Sequence, residues 1–175
     1  MPLAVFVGRL SPEKGLVDLI NAWKRVQAEL PDAQLVLLGG GPQEQELRGH
    51  SAGFPNIIWA GATQQPQRYL FAADLFVLPS HEEGMSVSLL EAMAAGLPIV
   101  ATDIPGNRGL IESGRHGLLV PAKRPDLLAR SILLQLQAKT IAAGMGRAAR
   151  QRVEEEFSIT RMAQRHVELF QVLIA

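Results

Sequence analysis

Two cations follow the first apolar run of the chain. Leu3–Val7 is a continuous apolar stretch, which is typical of a buried parallel strand. Arg9 leaves the carboxyl end of this strand, and Lys14 falls in the first turn of the helix expected next. Cations and unpaired backbone N–H groups at one helix start predict an anion site. The alternative is that Lys14 pairs with Glu13 or Asp18 on a solvated helix face.

Two carboxylates, Glu83 and Glu91, stand on either side of the start of a later helix. Their spacing corresponds to about 80° around a straight helix, which does not favour a proton-sharing dyad. The helix start between them has free N–H groups that suit a phosphate, and the flanking carboxylates suit sugar hydroxyls. The alternative is structural, because Ser88 and Glu91 match the S-x-x-E capping box and Glu83 would then be a surface loop acid.

A nucleophilic serine is a further alternative. Residues 84–88 read GMSVS and differ from the G-x-S-x-G nucleophile elbow at the last position, where serine replaces glycine. By residue type, Asp103 or Asp126 together with His166 could complete a catalytic triad around Ser86, although His166 falls in a terminal amphipathic helix. A hydrolase built on Ser86 therefore stays open.

Other known nucleotide-binding and metal-binding motifs are absent from the sequence. Glu44 stands where the dinucleotide fingerprint requires its third glycine, and Lys14 precedes Gly15 in a sequence without a Walker A motif. The four histidines lack the spacing of a zinc site, and most are expected at the surface. No Asp-x-Asp pair occurs, so this metal-holding signature is missing as well.

Short apolar runs alternate with amphipathic stretches. Strands are predicted at Leu3–Val7, 35–38, 57–60, Leu75–Leu78, Ile99–Thr102 and Leu118–Val120. The first helix is predicted to begin with Ser11 as its N-cap and Pro12 in its first position, and to end at residue 30. The other helices are predicted over 42–48, 66–73, 86 to near Gly96, 126–138, 142–156 and Ile159–Ile174. This alternation predicts an α/β fold, a doubly wound parallel six-stranded sheet of Rossmann-like type, in a single domain over residues 1–175. Ligands of such sheets bind at the carboxyl ends of the strands, where both candidate motifs lie.

Composition narrows the function classes. Lys+Arg and Asp+Glu are equal at 17 each, so no net field attracts nucleic acid. The chain has no cysteine, which suits a reducing cytoplasm. Its first residues read as a strand and not as a signal peptide, and no apolar stretch approaches the ~20 residues that span a bilayer.

Together these motifs resemble the retaining GT-B glycosyltransferases of family 4 (group 1). The resemblance is carried by residues 7–15 (VGRLSPEKG), 38–42 (LGGGP), 79–80 (PS), 83–86 (EGMS), 90–102 (LEAMAAGLPIVAT) and 117–121 (GLLVP). It implies that the chain is the C-terminal, donor-binding half of a GT-B fold. The implied reaction transfers a hexosyl group from a nucleotide-diphosphate sugar to an acceptor, with retention.

The resemblance also implies a role for each candidate residue. Arg9 and Lys14 would bind the donor's diphosphate and stabilise it as the leaving group. Glu83 would bind hydroxyls of the donor sugar and completes the catalytic set, whereas Glu91 would bind the ribose hydroxyls. The other donor-binding residues are Gly8, Gly39, Gly41, Met85, Ser86 and Val87. Such enzymes use no metal and no cofactor besides the donor substrate.

Two departures from the family pattern matter. The family usually reads G-G-x-x-E after Thr102, but residues 105–109 here are PGNRG, with Gly109 in place of the acid. Family members also carry a preceding Rossmann domain that supplies the acceptor site. The helix at Ile159–Ile174 resembles the one that packs on that domain, so a partly exposed apolar stripe is expected there. Its members are Ile159, Met162, His166, Phe170 and Leu173.

The partners follow from the resemblance. They are a nucleotide-diphosphate sugar, an acceptor glycan or lipid-linked glycan, and an N-terminal acceptor domain in the same or another chain. No nucleic-acid partner is expected. The implied setting is polysaccharide assembly in the cytoplasm, with peripheral association at the inner face of the membrane. The isolated chain is expected to be inactive, and the alternative is a module that binds a nucleotide sugar without turnover.

Overall fold

Six parallel strands form the centre of the protein. The computed structural model describes the backbone of residues 1–174 and the side chains of residues 1–171. The strands are β1 (Leu3–Val7), β2 (Gln34–Leu38), β3 (Ile57–Gly61), β4 (Leu75–Leu78), β5 (Ile99–Thr102) and β6 (Leu118–Val120). Their order across the sheet is β3-β2-β1-β4-β5-β6, with every pairing parallel. The predicted doubly wound α/β fold is therefore confirmed.

Helices cover both faces of this sheet. They are α1 (Leu16–Glu29), α2 (Glu44–His50), α3 (Gln67–Ala72), α4 (Val87–Ala94), α5 (Pro105–Arg108), α6 (Pro125–Gln137), α7 (Lys139–Glu156) and α8 (Ile159–Ile174). One layer is formed by α1 with α2 and α6, and α4 packs with α3 and α7. Because right-handed crossovers leave β1 and β4 in opposite directions along the sheet, these two groups lie on opposite faces.

The apolar runs seen in the sequence become the buried centre. All residues of β4 and β5 are buried, as are most residues of β1 and β2, because strands of a parallel sheet are covered on both faces. Trp23 of α1 and Phe6 and Phe76 of the central strands are among the largest fully buried side chains. This rigid centre holds the loops at the carboxyl edge of the sheet.

The predicted start of the first helix is wrong. Pro12–Lys14 forms a separate 3-10 turn, and Gly15 then adopts a left-handed conformation with φ 65°. That conformation interrupts the helix, so α1 begins at Leu16. Ser11 and Pro12 therefore open the short turn only. Lys14 lies before α1 and not in its first turn.

Other boundaries shift by small amounts, and one helix was not predicted. The helix expected over 42–48 begins two residues later, and the one expected at 142 begins at Lys139. The short helix α5 was missed, because its sequence, PGNR, reads as a turn.

The last helix, α8, has no buried residue through Gln171. Apolar side chains on it are exposed, namely Ile159, Met162, Val167, Leu169 and Phe170. His166 of the predicted stripe is exposed as well, whereas the side chain of Leu173 lies outside the described residues. Within the described part of the chain, no helix combines the length and apolarity needed to cross a membrane.

Candidate functional site

The loops after β1 and β4 start from adjacent strands. From β1 the chain continues to β2 at one side of the sheet, and from β4 it continues to β5 at the other. Two neighbouring strands whose connections diverge in this way leave a crevice at their carboxyl ends, which is where open α/β sheets bind ligands. Arg9 and Lys14 follow β1, and Glu83 follows β4. The topology therefore brings the two predicted motifs to one crevice.

Lys14 and Glu83 are in direct contact. The ammonium Nζ of Lys14 lies 2.6 Å from Oε1 of Glu83, and their side chains are 19% and 8% exposed. The alternative that Glu83 is a surface loop acid is wrong, since its carboxylate is almost enclosed. A charge-assisted hydrogen bond with this little solvent is stronger than an exposed pair.

A series of hydrogen-bonded polar groups also holds the carboxylate of Glu83, in addition to Lys14. Ser80 donates its hydroxyl to Oε1 of Glu83 at 2.8 Å, and the carbonyl of Ser80 accepts a hydrogen bond from the hydroxyl of Thr102. The amide of the fully buried Asn107 donates to the carbonyl of Thr102 at 2.9 Å. Both polar contacts of Glu83 use Oε1, which leaves Oε2 available to another donor.

The missed helix α5 supports this loop. A Cβ at Gly106 would lie 2.2 Å from the carbonyl oxygen of Glu83 and 2.7 Å from that of Gly84. The backbone of α5 therefore packs directly against the loop that carries Glu83, and only glycine allows that approach. Sequence reasoning missed Ser80, Thr102 and Asn107, and the only signal of this contact was the Pro-Gly pair in PGNRG.

The predicted alternatives for Lys14 are wrong. Glu13 accepts a hydrogen bond from the hydroxyl of Ser11, and this bond lowers the pKa of Glu13. Asp18 accepts from the ring of His81 instead, at 2.8 Å. With both acids engaged elsewhere, Lys14 is left to Glu83.

Arg9 is the second cation of the crevice. Its side chain is exposed, and among the described residues it has no hydrogen-bond or ion-pair partner. By contrast, Arg108 of α5 is neutralised by Asp103 at 2.6 Å, a contact that lowers the pKa of Asp103. An anionic ligand at the carboxyl edge of the sheet can therefore bind Arg9 without first displacing a protein carboxylate.

The start of α4 is open. Ser86 is its N-cap, and its hydroxyl accepts a hydrogen bond from the backbone N–H of Leu89 at 3.3 Å. The alternative of a capping box between Ser88 and Glu91 is therefore wrong. In the described part of the chain, the N–H groups of residues 85–88 have no acceptor. The exposed side chains of Met85 and Val87 flank these groups, which leaves room for an anion at the positive end of the helix.

Ser86 has none of the contacts of an activated nucleophile. It is buried, and its hydroxyl contacts the N–H of Leu89 and, at 3.1 Å, the hydroxyl of Ser88. Within the described residues no histidine or carboxylate reaches Ser86, and His166 stands on the exposed helix α8. Because nucleophilic catalysis requires a base in contact with the hydroxyl, the geometry disfavours the hydrolase alternative.

Glu91 lies on α4, away from Glu83. It is half-buried and lines a cavity of about 150 Å³ together with Gln67, Phe71 and Ala94. The side chain of Phe71 is 73% exposed at this cavity. Lys14 and Ser80 hydrogen-bond to Glu83, and within the described residues neither has a hydrogen bond to Glu91.

The predicted glycines pack the loops after β1 and β2 against each other. A Cβ at Gly39, where φ is 141°, would lie 1.8 Å from the carbonyl oxygen of Gly8. A Cβ at Gly41 would lie 2.4 Å from the carbonyl oxygen of Leu10. Backbone hydrogen bonds from Gly8 to Leu38 and from Leu10 to Gly40 extend the pairing of the two strands into these loops. These glycines are thus required by the fold itself.

Two predictions concern metals and histidines. Across the residues whose side chains are described, no three His, Asp or Glu side chains come close enough to hold a metal ion. His50 and His166 are exposed as expected, but His116 is only 4% exposed. It is held by the N–H of Glu112 and by Arg152.

A parallel sheet with cations, a carboxylate and an open helix start at its switch point is an arrangement that can bind an anionic ligand such as a phosphate. The G117R mutant of S. aureus TarM, crystallised with fondaparinux, alpha-GlcNAc-glycerol and UDP, superimposes with a TM-score of 0.90 at 26% identity over 96% of this chain and 35% of TarM. The glycosyl transferases group 1 family model matches residues 1–138. The chain belongs to this family.

Two curated relatives illustrate the family. TuaC of Bacillus subtilis, named as a teichuronic acid biosynthesis glycosyltransferase, is 40% identical over 134 residues, which are 74% of this chain and 32% of TuaC. The GDP-mannose-dependent alpha-(1-6)-phosphatidylinositol monomannoside mannosyltransferase of Mycobacterium tuberculosis is 30% identical over 89% of this chain and 44% of its own length. The chain therefore spans less than half the length of either relative.

Proposed function

We propose that this chain is the donor-binding domain of a retaining, metal-independent glycosyltransferase of the GT-B type, family 4. It transfers a hexosyl group from a nucleotide-diphosphate sugar to an acceptor. The observation that carries the proposal is the Lys14–Glu83 pair, 2.6 Å apart at the switch point of the sheet. Beside it stand the exposed Arg9 and the open N–H groups of α4.

The diphosphate is the part of the donor that these groups suit best. Arg9 and Lys14 supply two positive charges, and the N–H groups of Met85, Ser86 and Val87 supply donors at the positive end of a helix. The cations also stabilise the negative charge that develops on the diphosphate as the bond to the sugar breaks. Catalysis would then depend on stabilising the diphosphate as the leaving group, and no metal would be required.

The two glutamates bind hydroxyl groups at the ends of the diphosphate. Oε2 of Glu83 has no contact within the described residues and can accept a hydrogen bond from a sugar hydroxyl. Glu91, half-buried on the second turn of α4, accepts from the ribose hydroxyls. The loop containing Gly39 and Gly41 passes near the base, which is read through backbone groups, and Gly8 lies against Gly39.

Turnover requires an acceptor site, which we assign to a second domain in the same or another chain. The apolar face of α8 supports this assignment, because Ile159 and Phe170 are 82% and 60% exposed and large exposed patches mark contact surfaces. Retention would follow from attack of the acceptor on the face that the diphosphate leaves. A lipid-linked acceptor, as in the mycobacterial relative's name, would place the reaction in the cytoplasm at the inner face of the membrane.

The proposal is tested by titrating the chain with UDP, GDP and ADP while following its thermal unfolding. Binding to the folded state alone raises the midpoint by mass action. We expect one nucleotide to stabilise the protein, and we expect the shift to shrink in Arg9→Ala and Glu91→Ala. If no nucleotide stabilises the wild type, or if neither variant changes the shift, the assignment of the donor site fails.

A binding module without turnover is the second candidate. It is favoured by the groups of the crevice, since Arg9, Lys14 and the N–H groups of α4 suit binding of a diphosphate whether or not transfer follows. Release of nucleoside diphosphate from a sugar nucleotide, measured with and without a separately expressed acceptor domain, distinguishes the two. Release that requires the second domain supports the enzyme, whereas binding without release in either case supports the module.

A further inference from the structure

The turn that carries Lys14 is also bonded to the loop that carries Glu83 by contacts that do not involve the side chains of Lys14 and Glu83. The backbone N–H of His81 donates to the carbonyl of Glu13 at 2.7 Å. The ring nitrogen Nε2 of His81 lies 2.8 Å from Oδ2 of Asp18, and both side chains are half-buried. An ionised carboxylate only accepts hydrogen bonds, so Nε2 carries the proton of this bond.

Gly15 brings the same two segments into contact next to Lys14. A Cβ at Gly15 would lie 2.1 Å from the carbonyl oxygen of Pro79 and 3.0 Å from Nε2 of His81. Lys14 is therefore held on both sides: Glu13 is bonded to the backbone of His81, and Gly15 packs on Pro79. The Asp18–His81 bond lies beyond Gly15 and joins the first turn of α1 to the β4 loop.

We propose that Asp18 and His81 are positioning residues that place the ammonium of Lys14 for the donor's diphosphate. This inference rests on the donor site proposed above. A lysine side chain has four flexible methylenes, so the place its ammonium occupies depends on where the backbone is fixed. The Asp18–His81 bond fixes that backbone relative to Glu83 and α4, and displacements of about 1 Å in such sites have large effects.

The direction in which Asp18→Ala changes the affinity for a diphosphate distinguishes positioning of Lys14 from simple electrostatics. Asp18 is an acid close to a site for an anion. If its charge were all that mattered, Asp18→Ala would remove a repulsion and tighten the binding of a diphosphate. If Asp18 positions Lys14 through His81, the same substitution weakens binding, by about tenfold. Asp18→Asn keeps an acceptor for His81 and should restore most of the affinity.

The test measures dissociation constants for UDP, GDP and ADP by calorimetry, with thermal unfolding of each variant as a check on folding. His81→Ala removes the same bond from the other side and should match Asp18→Ala, while His81→Gln keeps a donor and should recover affinity in part. Glu154→Ala is the matched control, since it breaks the Arg150–Glu154 pair on the surface of α7 and should leave affinity unchanged.

A double-mutant cycle distinguishes positioning from a general structural role. If Asp18 acts through Lys14, then Asp18→Ala has no further effect on affinity in a Lys14→Ala background, because energies of coupled residues do not add. Equal losses in both backgrounds would overturn the inference, as would an Asp18→Ala variant that binds as tightly as the wild type. A wild type that binds none of the three nucleotides would instead refute the donor site itself.

Discussion

The ammonium of Lys14 and the carboxylate of Glu83 lie 2.6 Å apart and join the loops after β1 and β4. The proposed function assigns these residues to different parts of the donor, Lys14 to the diphosphate and Glu83 to the sugar. Their contact means that a diphosphate must compete with Glu83 for the charge of Lys14. The two roles are therefore coupled, and the coupling has measurable consequences.

Glu83→Gln should separate binding of the nucleotide from transfer of the sugar. Removing the carboxylate releases Lys14, so the affinity for UDP, GDP or ADP should rise by about two- to tenfold. Transfer should fall by about a hundredfold or more, because the sugar loses its charged acceptor. Calorimetry measures the affinity, and a transfer assay with the separately expressed acceptor domain present measures the rate. Glu82→Gln, at the exposed neighbouring acid, is the control, and tighter binding in both variants would point to a general charge effect.

Lys14→Ala and Arg9→Ala should weaken diphosphate binding with different effects on stability. Each loses a charge-assisted contact of about 1.5–3 kcal/mol, or about one to two powers of ten in affinity. Lys14→Ala also leaves the carboxylate of Glu83, 8% exposed, without its counter-charge, so its unfolding midpoint should fall.

Arg9→Ala should keep the wild-type midpoint, because Arg9 is exposed and has no hydrogen-bond or ion-pair partner in the described part of the chain. Thermal unfolding and calorimetry on the same samples check both statements. Arg68→Ala, another exposed arginine, should change neither quantity. Equal loss of stability in the Lys14 and Arg9 variants would contradict the enclosure of Glu83.

The fold was predictable because its central strands are continuous apolar runs. Leu75–Leu78 and Ile99–Thr102 are fully buried, and burial on both faces is what such runs indicate. The candidate residues were predictable for a related reason, since a parallel sheet places every strand's carboxyl end at one edge. The positions of Arg9 and Glu83 after β1 and β4 were enough to place both at this edge, whereas the pairing of β1 with β4 is seen only in the structure.

What the sequence did not predict depends on contacts between distant segments. The pairing of Lys14 with Glu83 rather than Glu13 was not visible, because local spacing favours near neighbours. Gly15 ends the 3-10 turn in a left-handed conformation, and the backbone of Pro79 lies where a Cβ would stand, so the break combines glycine's freedom with a contact between distant segments. Support of the Glu83 loop by α5 could not be predicted for the same reason.

The glycines after β2 should differ sharply in their tolerance of alanine. At Gly39 a Cβ would lie 1.8 Å from the carbonyl oxygen of Gly8, whereas at Gly40 it would meet nothing within 4 Å. Gly39→Ala should therefore destabilise the protein by about 2–4 kcal/mol, and Gly40→Ala should stay within about 0.5 kcal/mol. Urea unfolding measures both. Similar stabilities would mean that the loops of β1 and β2 do not pack as described.

Stability should fall as the solution is acidified, and His116 should account for part of the fall. Burial, followed by the charges of Arg152 and Arg115, lowers the pKa of His116 from its ordinary 6.5, against smaller opposing effects of Glu112 and Glu156. Below pH 6.5 the unfolded chain therefore takes up a proton that the folded chain does not, and stability drops until the pH reaches the lower, folded pKa.

The contribution of His116 is absent above pH 6.5 and grows at up to about 1.4 kcal/mol per pH unit below it. Urea unfolding of the wild type and His116→Gln between pH 7.5 and 5 measures it, and the variant should show the shallower decline. His50→Gln, at an exposed histidine on α2, should follow the wild type. Parallel curves for the wild type and His116→Gln would mean that the folded protein protonates His116 as readily as the unfolded chain does.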